Sequence, residues 1–150
     1  LDVDPADSRG LAPAAPAARQ AELDWARALC DTAMDAAARR GIQVAVAVVD
    51  RGGDPIQQDL MDGAPAGGVA VAHAVAGAAA LFGCDSGDLT ARFGSAGAVA
   101  ALAALVVPPV LGVPGGLPVR DAGHVVAGLG VGGDDPAVCA DIARTALAAS

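Results

Sequence analysis

Two histidines are the residues of this sequence best suited to chemistry. His73 sits in the middle of an uncharged run of alanine, valine and glycine, where a neutral imidazole can ligate a metal or act as a general base. The plainer reading is a core histidine whose ring N–H is bonded to a carbonyl. His124 follows the Asp121-Ala122-Gly123 turn and opens a strand, a position often exposed to solvent. Beside it stand Arg120 and Asp121. A guanidinium there can clamp a carboxylate, although an Arg–Asp pair on a turn is more often simply solvated.

Further candidates carry weaker chemistry. Met61 can face a ligand with its polarisable thioether, and Asp62 can cap a helix that Pro65 begins, which is a structural rather than a catalytic role. Gly115 and Gly116 permit positive φ or a close backbone approach, which fits a loop folded on a ligand and a tight turn equally. Cys139 falls near a helix N-terminus, where the dipole lowers a thiol pKa, but Asp134, Asp135 and Asp141 oppose that shift, and an inert cysteine is expected. Gly128 to Gly133 imitates a dinucleotide fingerprint only superficially, because it ends a late strand and no βαβ unit follows.

These residues need elements to hold them. An amphipathic helix is expected from Ala21, with Leu23, Ala26, Cys30, Ala33 and Ala37 on one face and Gly41 as its stop. Residues 1–20, with Pro5, Pro13 and Pro16 and no apolar stripe, read as a disordered arm, leaving residues 21–150 as one domain. Ile42–Val49 and Pro55–Leu60 read as a hairpin around Gly52-Gly53. A buried helix is expected from Pro65 to near Gly83, then a short helix capped by Asp85 or Ser86. Ser95–Val107 leans to helix. A second hairpin joins Leu117–Arg120 to His124–Gly132, and Pro136 opens a last helix. The order gives an α/β (α+β) fold, one antiparallel sheet covered by helices.

Composition narrows the function. The 150 residues carry a net charge of −8 with no basic run, so a nucleic-acid backbone would be repelled. Aromatics make up only 2%, so the core is built from small side chains. Three widely spaced cysteines, Cys30, Cys84 and Cys139, form no C-x-x-C pair, which argues against a disulfide framework or structural zinc and for a reducing cytoplasm. Gly63–Leu81 and Ala96–Val113 are apolar, but the first is mostly Ala and Gly and the second is broken by prolines, so both are expected to be core segments rather than membrane spans. No signal peptide is visible at the start of the sequence.

Four segments in order carry a resemblance: Val44 to Asp50 with Gly52-Gly53, Met61-Asp62-Gly63-Ala64-Pro65, Gly115-Gly116-Leu117-Pro118-Val119, and Gly128 to Gly133. From about Ala21 to the end the chain resembles the GlcG/HbpS family, which includes the haem-binding C-terminal domain of PduO-type proteins. The resemblance implies a profilin-like fold, assembly into dimers or larger rings, and a pocket for a small ligand such as haem; from the residues themselves, His73 is the candidate iron ligand, and Met61, Gly115, Gly116 and Arg120 are candidate ligand-binding residues. The family's polar positions on the helix after Pro65 appear here as Gly68, Ala70, Ala74, Val75 and Ala78, which implies a drier pocket or a more deeply buried helix, and Cys139 stands where Asp is usual.

Three readings follow. The first is a haem- or small-ligand-binding protein, homo-oligomeric, with no nucleic-acid or membrane partner. The second is a cofactor-free enzyme, a cyclase, dehydratase or isomerase acting on an apolar substrate, with His73, Asp62 and His124 as its acid–base groups. The third is a structural assembly protein.

Overall fold

The computed structural model describes residues 16–150, with side chains from residue 22 onward. Among these residues, helix α1 (Pro16–Arg39) is followed by strands β1 (Ala45–Asp50) and β2 (Pro55–Leu60), then α2 (Gly68–Phe82), a 3₁₀ turn (Ser86–Asp88), α3 (Leu89–Phe93) and α4 (Ala96–Ala103). Strands β3 (Gly116–Asp121) and β4 (His124–Gly132) and helix α5 (Pro136–Ala148) complete the chain. The sheet is antiparallel with order β2-β1-β4-β3. No single described helix is long and apolar enough to cross a membrane.

The central strands explain why Val44–Val49 is apolar without a break. Val44, Val46 and Val48 point into a core shared with α1 and α5, while Ala45, Ala47 and Val49 pack against Ala72, Ala76 and Ala80 of α2. A strand covered on both faces loses the usual polar alternation. On β4 the face toward α2 is Gly128, Gly130 and Gly132; a Cβ on Gly130 would strike the Ala72 carbonyl, and one on Gly128 that of Ala76. The helix backbone therefore lies directly on the strand.

Several boundaries differ from the sequence expectation. α1 begins at Pro16, not Ala21, a first-turn position that accepts proline; the rest of the expected arm lies outside the described residues. α2 begins at Gly68 rather than Pro65, because the helix is seated where Gly68 can approach the Gly133 backbone and Ala45 Cβ. Neither Asp85 nor Ser86 caps the next turn by its side chain. Ser86 is buried instead, its Oγ accepting from Gly116 N (2.9 Å) and donating to Val113 O (2.6 Å). Ser95 caps α4, which stops at Ala103. Beyond it Leu105 is 82% and Val107 99% exposed, so of Ala96–Val113 only part, with Val99 and Val110 packed beside Ala78 and Leu89, joins the core its composition suggests. Asp135 caps α5 through Val138 N, with Pro136 in the first turn.

Candidate functional site

The C-terminal end of α2 is where charged and apolar groups converge. α2 ends at Gly83, in the left-handed conformation (φ 64°) that suits glycine. Its last carbonyls are then covered by arginines: Arg92 Nη1 donates to Phe82 O (3.1 Å) and Arg120 Nη2 to Gly83 O (2.6 Å). Cations are favoured at this end of a helix by the macrodipole. Arg120 also reaches Gly123 O at 3.4 Å. The guanidinium expected to clamp a ligand is thus engaged in locking the β3–β4 hairpin onto α2.

Beside this lock lies an open groove of about 410 Å³, lined by Arg51 from the β1–β2 turn, Leu81, Phe82 and Gly83 from the end of α2, and His124 and Val125 from β4. No carboxylate lines it. Asp50, the neighbour of Arg51, spends Oδ1 on Gly52 N (2.8 Å) and Asp54 N (3.1 Å), closing its own turn. Neither Arg51 nor His124 has a side-chain hydrogen bond or ion pair among the described residues. The hairpin that presents His124 turns through Ala122 (φ 49°) and Gly123 (φ 81°), both left-handed, as a two-residue loop demands. Such a groove can hold an anion through Arg51, an apolar body on Leu81, Phe82 and Val125, and a soft electrophile or metal on the His124 ring.

The other sequence candidates do not gather here. His73 is half-buried and its Nε2 lies 3.0 Å from Gly53 O, tying α2 to the β1–β2 turn. Met61 Sδ accepts from Val44 N at 3.4 Å and packs toward the α1–α5 core. Asp62 is exposed and does not cap α2, whose N-cap is Gly67 without a side-chain bond, because the helix starts six residues after it. Gly115 (φ 135°) and Gly116 are buried, and a Cβ on them would strike the Val131 and Val75 carbonyls respectively. Both are needed for packing. They border a small hollow of about 120 Å³ with Asp85, Asp88 and Arg144. No hydrogen bond joins Asp62, His73 and His124 among the described residues. Gly68, Ala74, Val75 and Ala78 of the stripped helix are buried, so the loss of polar groups there goes with a more deeply seated helix.

The thiols are quiet. Burial, more than the neighbouring aspartates, pushes Cys139 up, while its contact with Asp134 O (3.6 Å) works the other way. No cluster of three or more metal-ligating side chains is found among the described residues. Arg51 is the groove residue that sequence reading missed, because an arginine in a glycine turn flanked by Asp50 and Asp54 reads as a solvated turn residue.

An antiparallel sheet with β order 2-1-4-3, one small-residue helix on its glycine face and two helices on the other, defines a fold shared with known proteins. The HbpS-like family, described as haem-degrading proteins, matches residues 22–148, and the chain belongs to it. Among solved structures, a double mutant of Streptomyces reticuli HbpS is 30% identical with a TM-score of 0.74, covering 85% of this chain and 84% of that one. A PduOC–haem complex is 26% identical (TM-score 0.70; 83% and 90% covered). The Klebsiella pneumoniae protein ORFY, 23% identical (TM-score 0.75; 84% and 87% covered), shares the fold. No curated protein sequence matches the chain.

Proposed function

We propose that this protein binds haem in the groove at the end of α2, where His124 would hold the iron and Arg51 a propionate. The observation that carries this reading is the His124 imidazole, which among the described residues has no side-chain partner and shares one groove with an equally unpartnered Arg51 guanidinium and an apolar wall. Family membership and the haem complex of a relative support the choice of ligand. The residues fit the group: a nitrogen donor for iron, a planar cation for a carboxylate, and Leu81, Phe82 and Val125 for the macrocycle. Bound there, haem supplies a redox-active iron. The chain's own residues would hold it there: His124 the metal, Arg51 a carboxylate, and Leu81, Phe82 and Val125 the apolar body. His73 is the poorer ligand, since turning Nε2 to a metal would cost its bond to Gly53 O.

Hemin titration tests this. A saturable, sharp Soret band is expected. His124→Ala should abolish or shift it, His73→Ala should leave it in place, and Arg51→Ala should weaken binding by about tenfold, the worth of one charge-assisted contact. Broad, unsaturable absorption would end the haem reading; loss of the band in His73→Ala alone would move the ligand to that residue.

A further inference from the structure

On the opposite side of the β3–β4 hairpin lies a second groove of about 420 Å³, bordered by Glu22 and Trp25 of α1, Val119 and Asp121 of β3, and Val126 of β4. Its polarity is the reverse of the first. Glu22 and Trp25 are one helical turn apart and so share a face of α1. Trp25, the one tryptophan of the sequence, is 37% exposed, and Val126 42%. Neither the Glu22 nor the Asp121 carboxylate has a side-chain hydrogen bond or ion pair among the described residues. Arg120 borders the groove as well, but its guanidinium is already held by the Gly83 and Gly123 carbonyls.

We propose that this groove is a binding site for a small organic cation, an alkyl- or quaternary ammonium compound whose charge lies over the Trp25 ring between Glu22 and Asp121 and whose carbon body rests on Val119 and Val126. An indole face attracts cations through its quadrupole, most strongly where water is partly excluded. The two carboxylates add charge complementarity. A bare metal ion fits less well, because two carboxylates leave most of the oxygen shell of a hard cation unfilled.

The sequence has no tyrosine and one tryptophan, so fluorescence excited at the red edge of the indole band reports Trp25 alone. Titration of the full chain with choline and with tetramethylammonium should give a saturable change in emission, while 3,3-dimethylbutanol, the uncharged isostere of choline, should bind at least about tenfold more weakly. Glu22→Gln with Asp121→Asn, both surface changes, should reduce choline affinity by a similar factor with an unchanged thermal melt. Trp25→Leu, followed by calorimetry, should abolish binding. Equal binding of the neutral isostere would make this an unspecific apolar hollow and overturn the proposal. So would an unchanged affinity in the double carboxylate variant, or no saturable signal with either cation.

Discussion

At the residue scale, Ala122 is the one described non-glycine residue with positive φ (49°). An L-residue pays for that conformation with steric strain, while glycine or asparagine tolerates it. Ala122→Gly or Ala122→Asn is therefore expected to raise stability by about 0.5–1 kcal/mol, read as a higher denaturant midpoint at unchanged slope. A drop in the midpoint would mean that the turn is held by something other than its backbone. Cys30 offers a second test. Burial, reinforced by Asp59, pushes its thiol from 9.0 up to about 12. The folded state thus holds this proton more tightly than the unfolded chain does, so the associated stability is intact below pH 9 and is lost as pH climbs toward 12. Melting temperature should fall over that window, and more shallowly in Cys30→Ala; parallel profiles would remove Cys30 from the account.

The same scale shows what could be read in advance. The acidic neighbours of Cys139 stand in the sequence itself and act in the expected direction, but burial, the larger cause of its raised thiol, is a tertiary fact. The partner of His73 was not readable, since Gly53 lies twenty positions away in another turn, and sequence cannot say whether an apolar helix turns its histidine toward a carbonyl or a ligand. Arg120 misled for a similar reason: the carbonyl it binds belongs to the end of α2, brought beside the hairpin only by the sheet.

At the scale of elements, β1 and β2, the β3–β4 hairpin and α5 were legible from periodicity, turn residues and Pro136. The start of α2 was not, because Pro65 is a valid helix opener locally and the seat of Gly68 against Gly133 is a tertiary fact. Apolar composition likewise could not distinguish α2, which is buried, from the segment after α4, which is not. The contact between α2 and β4 predicts a severe substitution. Gly130→Ala places a methyl group against the Ala72 carbonyl, with Ala76 N and Cβ also closer than 3.0 Å. Since the obstacle is backbone, the helix must move, and a loss of about 3 kcal/mol or more is expected. Chemical denaturation would measure it; a variant as stable as the parent would show that α2 sits further from the sheet.

For the whole molecule, exposed Phe93, Leu105 and Val107 lie on a stretch from residue 93 to 119 that carries no ionisable side chain. Surfaces of this kind on a chain of net charge −8 are suited to contact with another copy rather than to an anionic membrane. We propose a homo-oligomer on this ground. Sedimentation should give a mass above 14.4 kDa at micromolar concentration, and Leu105→Asp should shift it toward the monomer; a parent that runs as a monomer would refute the proposal.

The glycine face of β4 and the alanines of α2 have a thermodynamic consequence of their own. Gly and Ala have no side-chain rotamers to lose, so this layer becomes ordered without the entropy cost that leucine or methionine cores carry. Equally, it has no flexible side chains that could swell or repack to accommodate partial separation. The helix is either seated along its whole length or lifted away, and its amides and those of β4 should exchange with solvent together, as a single cooperative unit, rather than fraying from one end.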